Sequence, residues 1–318
     1  MTTVSSGDVA AVLAEASAVT ILCHIRPDAD TIGSALALGL ALDRRGIRVE
    51  VAFPGPESLP RALQVLPGVE LIVDSAEVTG HEVVVAVDAA SADRLADLCA
   101  YIDAADQSIV IDHHISNTGF GSLDYVDATA DCTALLILRV LDDLGVILDA
   151  DIATCLYAGL STDTGSFKWA NPESFRVAAR LLDTGIDARG WSRTLFDTHP
   201  FTWLSMVAKV LGSAQLHPPA CNGAGLVYAL VEHDVLADMS WEESESVIDL
   251  VRTVAEAEVA AVFKEVRPGQ WTISLRSRSA LDLVPIAQAH GGGGHSNAAG
   301  YSDSGTADEV VTRLVGSL

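Results

Sequence analysis

An α/β fold is predicted for this 318-residue chain: a doubly wound, mostly parallel sheet followed by a second, smaller α/β domain. Two observations predict it. Three short apolar runs, at 19–23, 83–87 and 108–111, read as fully buried parallel strands, and helix-like segments alternate with strands to about residue 127. That rhythm implies βαβ units with right-handed crossovers. Each run also ends in residues able to hold a metal: His24 with Asp28 and Asp30 beyond it, then Asp88, then Asp112-His113-His114. Ligand sites of open α/β sheets lie outside the carboxyl ends of the strands, so these residues are expected in one crevice with the composition of a two-metal hydrolase.

The elements follow in order. Residues 31–45 form a helix with a small, apolar body, stopped by Gly46 in the position usual for a helix end. A strand over 48–53, a turn-rich stretch at Pro54-Gly55-Pro56 and a short helix come next. Helices are expected over 131–144, 150–160 and 172–184, the last with Pro172 in its first turn behind Asn171 as cap. The pattern stays helical from 187 to 213, with Trp191, Phe196, Trp203 and Met206 as packing residues. His217-Pro218-Pro219 and the following Asn222-Gly223-Ala224-Gly225 make the clearest break. Beyond it stand a strand over 226–231, a helix over 241–254, a hairpin of strands 259–266 and 271–276, and a helix near 283–289. The expected domains are 1–195 and 220–318, with a helical linker over 196–219.

Composition excludes several classes. A net charge of −24, from 43 acidic and 19 basic residues, repels polyanions and argues against a protein that slides on long nucleic acid. A short nucleotide remains compatible, because two divalent cations and a few arginines can invert the field inside one pocket. The five cysteines (Cys23, Cys99, Cys132, Cys155, Cys221) are scattered and lack a C-x-x-C pair, as in a reducing compartment. No N-terminal stretch reads as a secretory signal, and the most apolar segment, 31–42, is about half the length that spans a bilayer. A soluble, cytoplasmic protein without membrane contact is expected.

Each candidate residue has a plainer reading. Asp28 and Asp30, two apart in an extended loop fixed by Pro27, can point to one side, although Asp30 alone could simply cap the helix from Thr31. Asp88 could be a helix cap, and Asp163, in Gly159-Leu160-Ser161-Thr162-Asp163-Thr164-Gly165, a turn aspartate. Two adjacent histidines after a buried strand, His113 and His114, rarely serve packing. Trp169, Trp191, Trp203, Trp241 and Trp271 read as core or interface residues. The functional case rests on the joint occurrence of these residues at strand and helix ends.

The H-x-x-x-D-x-D cluster of 24–30, the lone strand-end Asp88, the D-H-H of 112–114, the T-D-T-G of 162–165 and Gly291-Gly292-Gly293-Gly294-His295-Ser296-Asn297-Ala298-Ala299-Gly300 together resemble the DHH–DHHA1 phosphoesterase family. Within it the chain is similar to the NrnA-type group of oligoribonucleases and 3′,5′-bisphosphate nucleotide phosphatases, which includes relatives acting on pApA or cyclic di-AMP. The resemblance covers essentially the whole chain. It implies two Mn²⁺ per chain, one held by His24, Asp28 and Asp88 and the other by Asp30, Asp88, His113 and Asp163, activating water for attack on phosphorus. Asp112, beside His113, would orient an imidazole, and His114 would face the scissile phosphate as donor or acid. The glycine run would form an anion-binding nest, with Gly292, Gly293, Gly294, His295 and Arg276 gripping substrate; Arg278 is more simply a solvated strand residue. Lys168 stands where the family commonly has arginine, which weakens bidentate phosphate contact.

These readings predict hydrolysis of short RNA oligonucleotides, dinucleotides and mononucleotide bisphosphates in a cleft between the domains. The rival readings are an inorganic pyrophosphatase or exopolyphosphatase and a non-catalytic nucleotide sensor. The glycine-rich second domain and only three lysines (Lys168, Lys209, Lys264) count against a polyphosphate track. A homodimer would form through the apolar helices after residue 131.

Overall fold

The structure is a computed structural model and describes residues 4–55, 58–237, 241–278 and 281–318. The chain divides into two compact units, one ending at Thr198 and the other running from His199 to Leu318. The first contains strands β1 (Ala18–Leu22), β2 (Arg48–Ala52), β3 (Val83–Val87), β4 (Gln107–Asp112) and β5 (Leu123–Val126), and helices α1 (Ser6–Glu15), α2 (Ala29–Asp43), α3 (Cys99–Ala104), α4 (Thr133–Asp143), α5 (Ala150–Asp163), α6 (Pro172–Leu182) and α7 (Ala188–Phe196). All strand pairs are parallel, in the order β2-β1-β3-β4-β5.

Burial on both faces explains the continuous apolar runs. Alternate residues Val19, Ile21, Val83, Val85, Ile109 and Ile111 join the core under α1, α2, α4 and α5. Leu22, Val84, Ala86 and Val110 pack on the opposite face against Leu95, Leu98 and Ile102. The doubly wound sheet of the sequence reading is therefore present. Beyond β2 the expected short helix is replaced by turns and two three-residue 3₁₀ segments, Val69–Leu71 and Ser75–Glu77. Pro56 lies outside the described residues.

The second unit begins with α8 (Phe201–Gly212) and continues through β6 (Gln215–His217), the single turn α9 (Ala220–Gly223), β7 (Leu226–Val231), α10 (His233–Ala237), α11 (Trp241–Val251), β8 (Val259–Arg267), β9 (Gln270–Ser277), α12 (Val284–Ala289), β10 (Gly293–His295), β11 (Ala298–Ser304) and α13 (Ala307–Ser317). Its sheet has the order β10-β11-β9-β8-β7-β6, and only β7 and β8 run parallel. One face packs Leu283, Ala287, Val310 and Leu314; the other packs Met206, Val207 and Val210 of α8 with Val247, Ile248 and Val251 of α11. The helical stretch expected from 187 to 213 is broken at Asp197–Pro200 into α7 and α8, because Pro200 cannot continue a helix. Trp271 is buried in this unit, and Trp191 and Trp203 pack at core edges, whereas Trp169 is 44% exposed. The Trp241 side chain is outside what is described. No helix among the described residues is long and apolar enough to cross a membrane.

Candidate functional site

In the first unit the strand order reverses at β1 and β3, the position where open sheets leave a crevice at their carboxyl ends. His24 follows β1, Asp88 follows β3, Asp112 ends β4, and His113 and His114 come directly after it. Helix α2 starts at Ala29, two residues before the position expected, and its cap is Asp28 rather than Asp30: Asp28 Oδ1 accepts from the N–H of Asp30 (3.0 Å) and Thr31 (3.1 Å). Helix α5 runs three residues past its expected end, and this extension brings Asp163 into the crevice.

Two groups of side chains converge. His24 Nε2 lies 3.5 Å from Asp28 Oδ2 and 3.5 Å from Asp88 Oδ2. His113 Nε2 lies 3.4 Å from Asp163 Oδ2, 3.6 Å from Asp88 Oδ1 and 3.9 Å from Asp30 Oδ2. Asp88 thus turns one oxygen to each histidine. Donors that share one ion through bonds of about 2.1 Å stand about 3.0–3.4 Å apart, close to these separations. The outward nitrogens are set by carbonyls: His24 Nδ1 is 2.8 Å from Ile25 O, and His113 Nδ1 is 3.2 Å from Ala130 O. Such contacts orient the Nε2 lone pair towards a metal.

Close backbone approach makes the cluster possible. Helices α2 and α5 cross at two glycines: a Cβ on Gly33 would stand 2.3 Å from Cys155 O, and one on Gly159 would stand 2.5 Å from Asp30 Oδ1. Asp30 is without exposure, and both its oxygens accept N–H groups from the start of α4, Thr133 at 2.6 Å and Ala134 at 2.9 Å. The Ser34 hydroxyl also donates to Asp30 Oδ1 at 3.4 Å, so of the two lone pairs on each oxygen the open one is on Oδ2, the oxygen that faces His113. Asp88 sits at φ 60°, a left-handed conformation that aspartate tolerates better than most residues. After Asp163 the chain takes three successive left-handed residues, Gly165 to Phe167, and Trp169 Nε1 donates to Asp163 O at 2.7 Å.

The electrostatics call for positive charge. Burial opposes protonation of His24, but Asp28 and Asp88 prevail and push its pKa up to about 10. Burial, followed by the charges of Asp88 and Asp28, raises the Asp30 carboxyl well above the usual range. Asp28 is held low against burial by His24. A divalent ion would supply the positive charge that these residues otherwise take from bound protons. Burial pushes the neighbouring Cys23 thiol up to about 12, so the donor set is carboxylate and imidazole without thiolate, the mixture that suits Mn²⁺ or Mg²⁺.

One role differs from expectation. Asp112 orients His114, not His113: Asp112 Oδ1 is 2.7 Å from His114 Nδ1, and Asp112 Oδ2 accepts from Asn117 Nδ2 at 2.6 Å. Burial works against a charged His114, but the hydrogen bond and charge of Asp112 raise its pKa to about 9. Three neighbours escaped the sequence reading. Thr133 donates its hydroxyl to Asp88 Oδ1 (2.9 Å), Asn117 holds Asp112, and Arg94 Nη2 lies 3.1 Å from His24 Nδ1. Only Asn117, three residues past the D-H-H, had a positional signal. Lys168 is exposed on the turn after α5.

The remaining candidates belong to the second unit. His295 pairs with Ala298, and Ala298 pairs with Arg276, so His295 and Arg276 share one sheet face with a small residue between them. Much of the glycine run, expected as a nest, is committed to packing. Gly291 and Gly292 donate their N–H groups to Gln288 O and Ala287 O at the end of α12, and Gly293 to His295 form β10. A Cβ on Gly292 would meet Gly300 O at 2.1 Å and one on Gly294 would meet Ala298 O at 2.4 Å, so these glycines serve strand packing. Gly293 faces open space. Arg278 donates to Val254 O and Ala255 O, a structural use.

Both units match known domain families. Residues 18–160 match the DHH family, N-terminal domain, and residues 223–315 match the DHHA1 domain. Over 302 residues the chain is 36% identical to the bifunctional oligoribonuclease and PAP phosphatase NrnA of Thermus thermophilus, covering 93% of this chain and 88% of that protein. An exopolyphosphatase-related protein from Bacteroides fragilis has the same fold, with a TM-score of 0.86 at 23% identity over 98% of this chain and 96% of that one. RecJ of Thermus thermophilus in complex with Mn²⁺ superposes with a TM-score of 0.53 at 14% identity, over 98% of this chain and 54% of that one. The two structural likenesses establish fold alone.

Proposed function

The chain belongs to the DHH family, and on that footing we propose that it is a metal-dependent phosphoesterase hydrolysing short nucleotides: nanoRNA, pApA or cyclic di-AMP, and pAp to AMP. The observation that carries this reading is Asp88, whose two oxygens face His24 and His113 at 3.5 and 3.6 Å. His24, Asp28 and Asp88 would hold one ion, and Asp30, Asp88, His113 and Asp163 the other. Mn²⁺ suits the donor set and is the ion bound by the RecJ relative. When bound, a pair of divalent ions neutralises phosphoryl charge and lowers the pKa of an attacking water.

The chain's own residues do the rest. Asp112, held by Asn117, fixes the His114 ring through Nδ1, and His114 would donate to a phosphoryl or leaving oxygen. In the second unit, Arg276 and His295 on one sheet face would take a terminal phosphate or base, with Gly293 beside His295. Lys168 would add a point charge. The charge of −24 supports short substrates and argues against a long polyanion track. The five free cysteines fit a cytoplasmic enzyme.

Phosphate release from pAp, and AMP release from pApA and cyclic di-AMP, should be absent after EDTA treatment and return with Mn²⁺. Turnover of pyrophosphate or polyphosphate alone would instead establish the phosphatase rival, and binding without turnover the sensor.

A further inference from the structure

Two of the carboxylates are held by a single residue at the start of α4. Thr133 is fully buried; its N–H donates to Asp30 Oδ2 at 2.6 Å and its hydroxyl to Asp88 Oδ1 at 2.9 Å. Those are the two oxygens of Asp30 and Asp88 that face His113 Nε2. The cap position of α4 belongs to Cys132, whose side chain makes no cap, so the buried Asp30 of α2 satisfies the free N–H groups instead. Asp88, at φ 60°, has its own N–H tied to Ile111 O at 2.9 Å, which leaves its side-chain torsions as the main freedom to be removed.

We propose that Thr133 is a positioning residue that sets how Asp88 and Asp30 present their remaining lone pairs to the ion beside His113. This rests on the two-ion reading of the site. Thr133 occupies one lone pair on each facing oxygen, so each carboxylate is held in one rotation with its other lone pair turned to the crevice. The His24 side depends on Asp88 Oδ2 and Asp28, neither of which Thr133 touches in the bonds described. The two oxygens of Asp88 turn together, so losing the hydroxyl loosens Oδ2 as well, but the His24 side keeps Asp28 and the larger loss falls on the ion beside His113.

Thr133→Val removes the hydroxyl, keeps the branched shape and retains the N–H to Asp30; Thr133→Ser restores the donor. EDTA-treated full-length protein is titrated with Mn²⁺ by calorimetry, and thermal unfolding of each metal-free variant reports its folding. Wild type should take up two ions. The valine variant should bind one of them about 10–100-fold more weakly and the other with a smaller loss, with serine near wild type. Should the valine variant not fold, Thr133→Ala is titrated against the same criterion. Two wild-type-like ions in the hydroxyl-free variant, or equal weakening of both, overturns the role of Thr133 and leaves the two-ion reading standing. A wild type that binds no ion defeats that reading instead.

Discussion

Both units wrap a sheet in helices, yet they place polar residues in opposite ways. In the first, parallel strands end at a common edge, and Asp28, Asp30, Asp88, Asp163, His24 and His113 leave those ends and the adjoining helices to meet in one crevice. In the second, His295 and Arg276 lie within an antiparallel ladder, their backbones already paired. A parallel edge frees side chains to converge, while a hairpin commits the backbone and offers only a face. The chemistry should accordingly fail with changes in the first unit, and selectivity with changes in the second.

The largest effect tests the first half of that contrast. Asp88→Asn keeps a residue suited to φ 60° and removes the charge that both histidines face. Turnover of pApA should fall more than about 10³-fold, beyond the loss from a single transition-state donor, and bound Mn²⁺ should drop below two per chain. Wild-type metal content with full activity would remove Asp88 from the centre of the site.

The contrast also accounts for what the sequence could tell. Strand-end residues were legible because a buried apolar run ending in His24, Asp88 or Asp112-His113-His114 leaves those polar groups little packing purpose. Thr133 was not, since it opens an ordinary apolar helix and gains its meaning only when Asp30 and Asp88 arrive from elsewhere in the chain. The choice of His114 over His113 as Asp112's partner depends on side-chain rotamers that no spacing reports. Gly292 and Gly294 misled in the other direction, because glycine that packs and glycine that cradles an anion look alike in sequence. Strands β10 and β11, in which Gly294 and Gly300 approach closely packed backbone, gave too short and too glycine-rich a signal to be seen.

Helix crossing gives the next test. Gly159→Ala would set a methyl group 2.5 Å from Asp30 Oδ1, 3.0 Å from the Asp30 backbone and 3.1 Å from the Ala134 side chain. Urea unfolding should show a loss of about 1–3 kcal/mol, the range for overpacking, accompanied by weaker binding of one Mn²⁺. Unchanged stability together with unchanged metal uptake would mean that the α2–α5 approach does not set Asp30.

Two neighbouring glycines separate packing from contact in the second unit. Gly292→Ala collides with Gly300 O and the Tyr301 backbone, and should cost about 1–3 kcal/mol while leaving Mn²⁺ uptake intact. Gly293→Ala enters open space and should change stability by less than about 0.5 kcal/mol, yet raise KM for substrates with a terminal phosphate. A Gly293→Ala enzyme with wild-type KM would leave the whole run structural and shift selectivity to Arg276 and His295.

The smallest effect asks whether the first unit tolerates buried charge only where an ion is to be held. Glu50 of β2, 7% exposed, lies outside the metal cluster and accepts from Thr20 Oγ1 (2.7 Å), Thr79 N and Oγ1 (3.3 and 3.0 Å) and Gly80 N (2.9 Å). Burial works against its charge, but these bonds outweigh it and hold its pKa below the ordinary value. A carboxylate depressed in the folded state stabilises above its unfolded pKa of about 4.3, and that contribution disappears as pH falls through the folded value. Wild type should therefore exceed Glu50→Gln in stability at pH 7, with the gap narrowing once the pH drops below about 4.3. Comparing the two proteins at each pH cancels the titration of the metal-site carboxylates, which both share. Parallel stability curves down to pH 3 would show that Glu50 is held no better folded than unfolded, and that its four hydrogen bonds only offset its burial.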